Sequence, residues 1–276
     1  MKTIVNFSGG LDSIYVLWKE LTTTDNKVTA IYYSGENFTN EQIAEFPSLQ
    51  ITTGKSAALR WMYCQQIAEV IKRESRDFTL VKEMYDLSII KNITHTYAPI
   101  VRAIQTIKNI NNGQFDRFMA GISRDNDGWY IDSNDSSSSA VVDCFANNAT
   151  RGEIYLPLIE SNYTPAHAFA ELPESLLTIH RSCDNNLYST KNISCHNCYK
   201  CHMHKFAKKL MSEGKTPDEI YDIYTEKSIM PNGMWKSQKI WLSEEVPLYK
   251  IESIWENIEN FEIPKWKSYY KVPNSQ

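Results

Sequence analysis

The chain has 276 residues, 22% of them charged and 42% hydrophobic, and its 29 Lys+Arg against 33 Asp+Glu leave a formal charge of -4. That length suffices for one large α/β domain with appendages or for two modest domains. The near balance of charge excludes a global field drawing nucleic acid or an anionic membrane to the whole molecule, and leaves that work to local patches.

Residues 3–7 are apolar and β-prone, and nothing before them forms a charged-then-apolar leader. No apolar run approaches the ~20 residues that span a bilayer, so a soluble, cytoplasmic protein with no membrane contact is expected. The segment Ser8-Gly9-Gly10-Leu11-Asp12-Ser13 follows, then a helix through Ile14–Leu17 to about residue 21 and a second strand over 27–33. Strand, short loop, helix and strand in this order predict a parallel βαβ unit. Leu59, Met62, Tyr63, Ile67, Val70 and Ile71 recur at helical spacing and predict a long helix over 56–73. A strand over 78–84, a helix over 97–110 and a strand over 117–122 complete a repeating βα pattern, which predicts a doubly wound, Rossmann-like sheet. Residues 124–139 turn to Asp, Asn, Gly and Ser, and read as an exposed loop, a candidate substrate lid at the C-terminal end of a strand. A last strand over 154–159, a short helix over 165–172 and helices over 204–214 and 216–227 follow. Beyond residue 230, Trp235, Trp241, Trp255, Trp266, Tyr269 and Tyr270 alternate with lysines, a composition that stacks bases or packs against a neighbour.

The glycine loop carries the chemistry. Two adjacent glycines let main-chain N–H groups approach an anion, and the helix that starts there adds its partial positive charge. Ser8 and Ser13 add hydroxyl donors. Asp12 would repel a phosphate, so its expected work is to hold Mg²⁺ or to fix the loop; a plain tight turn with Asp12 as helix cap is the alternative. Gly54-Lys55-Ser56 echoes the end of another phosphate-binding motif, but Leu49 stands where that motif needs glycine, so a helix start is expected.

Of six cysteines, Cys64 and Cys144 stand alone, whereas Cys183, Cys195, Cys198 and Cys201 crowd together, the last three within seven positions. Four thiolates suit tetrahedral Zn²⁺ at about 2.3 Å, a closed and structural site. An iron–sulfur cluster is the alternative for such a triplet, and His196, His202 and His204 are spare ligands or outer-shell groups.

The Ser8–Ser13 loop resembles the PP-loop signature of the N-type ATP pyrophosphatases, enzymes that adenylate a carboxyl or carbonyl oxygen and release pyrophosphate. Loop and cysteine knuckle together, with Gly121-Ile122, Asp125-Asn126-Asp127-Gly128-Trp129, Leu156-Pro157-Leu158 and Arg181-Ser182-Cys183, are similar to the 7-cyano-7-deazaguanine synthase family over about residues 1–210. The resemblance implies an adenine nucleotide alpha hydrolase type of α/β domain over 1–175, and a zinc-knuckle, helical and aromatic-rich region over 176–276. It further implies an ATP-dependent ligase that forms carbon–nitrogen bonds, with ATP, Mg²⁺ and Zn²⁺ as cofactors. The substrates implied are a purine-like carboxylate and ammonia, and the common state of such relatives is a homodimer. Ser8, Gly9, Gly10, Leu11, Asp12 and Ser13 are the implied nucleotide site, Asp12, Ser13, Arg102 and Asp125 the implied catalytic set, with Lys55 and Asp127 as further candidates. Two departures bear on the substrate: Tyr33-Ser34-Gly35-Glu36 and Pro99-Ile100-Val101-Arg102 match the family's motifs only in part. Modification of a base in tRNA or DNA, and a non-catalytic nucleotide-binding role in a defence assembly, are the rival expectations.

Overall fold

Strand β1 (Lys2–Asn6) is the centre of the molecule: Ile4 and Val5 are wholly buried, one on each side of the sheet. β2 (Lys27–Ser34) lies parallel along one edge of it and β4 (Arg117–Ala120) along the other, with β3 (Thr79–Met84) outside β2 and β5 (Glu153–Tyr155) outside β4. The fold is therefore α/β, with a five-stranded, all-parallel, Rossmann-like sheet of order β3-β2-β1-β4-β5. The computed structural model describes residues 1–45, 54–86, 98–123, 137–182 and 199–228.

Helices cover both faces, as the near-continuous apolar strands of a parallel sheet require. On one face α1 (Leu11–Thr23) and α3 (Gly54–Glu74) pack through Leu11, Ile14, Leu17, Cys64, Ile67 and Ile71. On the other lie α4 (Ala98–Asn111) and α5 (Ser137–Asn148), through Val101, Ile107, Val141 and Phe145. A short helix α2 (Asn40–Glu45) precedes α3. After β5 come α6 (Pro157–Glu160), α7 (Pro165–Glu171) and α8 (Glu174–Leu177). Helices α9 (Tyr199–Ser212) and α10 (Pro217–Ser228) then build a third cluster, in which Met203, Phe206, Ile220 and Tyr224 close on Ala166 of α7.

Two expectations are corrected. Ser137–Ser139, read as the end of a loop, open helix α5, because Val141 and Phe145 four residues apart gain burial on a helical face. The strand expected over 154–159 stops at Tyr155, where Pro157, with no N–H for a sheet ladder and φ already helical, starts α6 at its first position. Helix α2 had no distinct apolar stripe to announce it. Gly54-Lys55-Ser56 does begin a helix. The candidate lid over 124–136 and the aromatic tail beyond 228 lie outside the described residues.

Candidate functional site

The order of strands reverses between β1 and β4, and in open parallel sheets the crevice at the C-terminal ends of such a pair is where ligands bind. The Ser8–Ser13 loop stands at that place. Gly9 takes φ +74, a left-handed turn that glycine enters without strain, and a side chain there would press on Ile67 Cδ1 at 3.2 Å and Cys64 Sγ at 3.3 Å. Across the crevice, Gly121 at the end of β4 is the other tight point. A Cβ on it would lie 2.8 Å from Ser13 N and 2.9 Å from the Asp12 carbonyl carbon, so the start of α1 rests directly on β4.

Within the loop the hydroxyls and amides satisfy one another. Ser13 Oγ donates to Gly10 O at 2.9 Å and accepts from Ser8 N at 3.2 Å; the two serine oxygens are 3.2 Å apart, and Gly10 N donates to Ser8 Oγ at 3.4 Å. The bonds made by the Ser8 and Gly10 amides are long, so these two donors are only weakly satisfied within the loop. Gly10 occupies the cap position of α1 without a side chain to offer, and the cap comes from elsewhere. Ser182 Oγ accepts from Leu11 N at 2.7 Å, while Arg181 N donates to Gly9 O at 2.8 Å. The segment 180–182 is thus tied to the loop by these two hydrogen bonds.

Asp12 does not stand free to meet a cation. Its Oδ2 accepts from Lys200 Nζ at 2.8 Å and its Oδ1 from Tyr163 OH at 2.9 Å. The side chains of Lys200 and Asp12 are only 10% and 13% exposed, so this ion pair is shielded from solvent screening. Of the two roles expected of Asp12, the geometry matches fixing the loop: α9 and the segment after α6 are tied to α1 through it. Lys200 and Tyr163 were not among the sequence candidates, and neither was Ser182 in its capping role.

Several groups beside the segment 180–182 have shifted protonation. His180, whose Nδ1 is 3.1 Å from Ser182 Oγ, is pushed down to about 4, first by burial and then by the charges of Lys208 and Arg181, with Asp12 opposing. It is neutral at pH 7, and one hydrogen bond joins its Nδ1 to the Ser182 hydroxyl, whose oxygen also accepts from Leu11 N. The His180 ring meets His204 edge-on at 5.4 Å, and His204 in turn meets Phe169 at 5.5 Å. Burial pushes the Cys64 thiol up to about 12, against the nearby charge of Arg60. Burial also holds the Arg181 guanidinium below its usual range; Tyr63 opposes that shift and Arg60 adds to it.

Arg102 lies elsewhere. It projects from α4, and its Nε donates to Tyr85 OH at 3.0 Å, at the end of β3 and two strands from the phosphate loop. Tyr85 stacks on Tyr33 and tilts against Phe38, a largely buried aromatic group. The side chain of Lys55, and Asp125, Asp127, Cys183, Cys195, Cys198 and His196, lie outside the described residues. Cys201 is partly buried in the first turn of α9. Among the described residues no group of three or more His, Cys, Asp or Glu is set to hold a metal ion, and no helix is long and apolar enough to cross a membrane.

No family model matches the sequence, and no curated protein does. Among solved structures the chain is similar to the U34-tRNA thiolase NcsA from Methanococcus maripaludis, solved with its [4Fe-4S] cluster. The identity is 13% and the TM-score 0.40, over 78% of this chain and 74% of that one. A likeness that distant bears on neither chemistry nor substrate.

Proposed function

We propose that the chain is an ATP-using enzyme of the PP-loop kind, in which the Ser8–Ser13 loop receives the phosphates that leave as pyrophosphate. The observation that supports this reading is the placement of the loop's hydroxyls and amides, with a left-handed glycine among them, at the C-terminal crevice between β1 and β4. Ser8, Gly9, Gly10, Leu11 and Ser13 neutralise the departing charge. Asp12, held by Lys200 and Tyr163, keeps the first turn of α1 in place beneath it. Magnesium enters with the nucleotide.

The acceptor in this reading is a carboxylate, 7-carboxy-7-deazaguanine being the one that the motifs favour. Its oxygen attacks the α-phosphorus, pyrophosphate leaves, and ammonia displaces AMP to give the amide. A second adenylation, of the amide oxygen, followed by loss of AMP and a proton, gives the nitrile. Positioning and charge neutralisation by fixed donors supply most of the rate in such chemistry. Cys183, Cys195, Cys198 and Cys201 would hold a structural zinc, whose chemistry their thiols suit. No step passes through that metal.

The test is incubation of the protein with ATP, Mg²⁺, ammonium and 7-carboxy-7-deazaguanine, with mass spectrometry of the purine and assay of AMP. Conversion of the carboxylate to a nitrile, with two AMP released for each nitrile as the two adenylations of this proposal require, is the expected result. AMP release with an unchanged purine would remove this acceptor and direct the search to a base in tRNA or DNA, and no consumption of ATP with any of these acceptors would end the enzyme reading.

A further inference from the structure

One hydroxyl from far along the chain reaches into the phosphate loop. Ser182 Oγ lies 2.7 Å from Leu11 N, the first amide of α1, and 3.1 Å from Nδ1 of His180, while Arg181 N is bonded to Gly9 O at 2.8 Å. Gly10, between those two contacts, has no conformational need to be glycine, since its φ of -78 and ψ of 158 are open to any residue. It has no packing need either. A Cβ on it would find Ser8 Oγ at 3.5 Å, Arg181 O at 3.6 Å and Ser182 Oγ at 3.7 Å, ordinary van der Waals contacts, unlike the closer approaches at Gly9 and Gly121. The absent side chain leaves a notch at the start of α1, walled by the Ser8 and Ser182 hydroxyls and next to the Leu11 amide.

The N–H groups of a helix's first turn are the donors that an anion at that terminus uses. In this 13-residue helix the Leu11 amide is taken by a neutral hydroxyl oxygen. A phosphate oxygen makes the stronger, charge-assisted bond and also gains from the positive end of the helix, so it wins the exchange. The bond to Ser182 is nevertheless given up, and its strength is subtracted from the affinity of the ligand. A cap that served only to order the helix would act in the opposite direction, by holding the loop ready for the ligand.

We propose that the Ser182 hydroxyl is a displaceable occupant of the phosphate site. It holds the Leu11 amide until a phosphate oxygen enters the notch over Gly10, yields the amide to that oxygen, and takes it back as pyrophosphate leaves. The proposal rests on the PP-loop reading and deepens it, because it sets how tightly the loop keeps its product. Ser182 acts through Leu11 and is a positioning residue, and no covalent bond forms or breaks at it.

Calorimetric titration of the full-length protein with Mg²⁺ and either inorganic pyrophosphate, ATP or AMP tests it, on the wild type, Ser182→Ala and Ser182→Thr, beside thermal melts with and without saturating pyrophosphate. Ser182→Ala is expected to bind pyrophosphate about three- to tenfold more tightly, the range of one neutral hydrogen bond, while AMP changes less than about twofold. Ser182→Thr, which keeps the hydroxyl, should stay within about twofold of the wild type for pyrophosphate. Without ligand Ser182→Ala should melt about 2–4 °C below the wild type, and with saturating pyrophosphate the difference should vanish, because the lost bond belongs to the unliganded protein alone. Pyrophosphate bound by Ser182→Ala as tightly as by the wild type or more weakly, an equal gain in Ser182→Thr or for AMP, or a melting loss that persists with pyrophosphate overturns the displacement and leaves the loop reading standing. A wild type that binds neither ATP nor pyrophosphate overturns the loop reading itself.

Discussion

Replacing Lys200 by methionine isolates the contact that joins α9 to the loop. The substitution keeps the length and most of the apolar stem of the side chain and removes the ammonium 2.8 Å from Asp12 Oδ2, in a pair whose side chains are 10% and 13% exposed. Removing one partner of a buried pair leaves the other charge uncompensated, at about 3–5 kcal/mol. Tyr163 OH stays on Oδ1 and relieves part of that, so the low end, about 3 kcal/mol, is expected. At about 2–4 °C per kcal/mol for a chain of this size, the melting temperature should fall by about 6–12 °C. Adding Asp12→Asn to Lys200→Met removes the orphaned charge and should recover more than about 1 kcal/mol, so urea melts of wild type, both single variants and the double variant give the coupling directly. A Lys200→Met protein within about 1 kcal/mol of wild type, or single effects that simply add, would refute the claim that this pair anchors the loop.

Four further outcomes follow from the same geometry. Gly121→Ala would place a Cβ 2.8 Å from Ser13 N, against backbone that must move, and should destabilise by about 1–3 kcal/mol and weaken ATP binding; an unshifted melt would show that α1 does not rest on β4. His180 should make the fold acid-labile. Its folded value of about 4 lies below the ordinary 6.5, so the unfolded chain binds the extra proton between them; stability is full above pH 6.5 and lost as pH falls toward 4. About 2 kcal/mol should go between pH 7 and 5. Lys208, Arg181, Asp12, Ser182 and His204 are the groups that face it, and a His180→Asn variant losing as much as wild type over that interval refutes the assignment. Cys64, 0% exposed and pushed up to about 12, should resist iodoacetamide at pH 8 until the protein is denatured; site-mapped mass spectrometry showing native labelling would refute its burial. Finally, Asp12→Asn should lower ATP turnover without moving the Mg²⁺ concentration for half-maximal rate; an increase of about tenfold would make Asp12 a metal ligand.

The sheet was legible because its signals are local. Strand β1, the loop and α1 are contiguous; two glycines in a row after an apolar strand have few structural uses, and the apolar stripe of α3 repeats at 3.6 residues. The elements that were misread lack such a signal. Ser137–Ser139 resemble a loop by composition, and only the burial of Val141 and Phe145 against α4 and the sheet makes them helical. Ile154–Ile159 read as one strand until Pro157 is weighed as a helix start.

The groups that fix the loop are a different matter, since each reaches it from far along the chain. Ser182 is 171 residues from Leu11, Lys200 is 188 from Asp12 and Tyr163 is 151 from it. A lysine between two cysteines of a knuckle reads as a solvated side chain, and a tyrosine before Thr164-Pro165 reads as the entry to a helix. Neither residue type nor spacing points to a partner, because the pairing is decided by topology: α1 begins at the C-terminal crevice, and the chain returns there through α6, the segment 180–182 and the start of α9. The resemblance pointed to Asp12 as a reacting group, whereas Lys200 and Tyr163 give it a partner on each oxygen. In the proposed reading the acidic residue of the loop is part of the scaffold that aims the donors, and the phosphate-facing chemistry falls to the serines and the amides of Gly9, Gly10 and Leu11. Leu11 can offer its amide only if Ser182 yields it, which makes the hydroxyl of Ser182 a competitor for the ligand as well as a cap. A phosphate that binds must do better than that hydroxyl, and a doubly charged oxyanion at a helix N-terminus does so by the macrodipole as well as by the stronger, charge-assisted hydrogen bond.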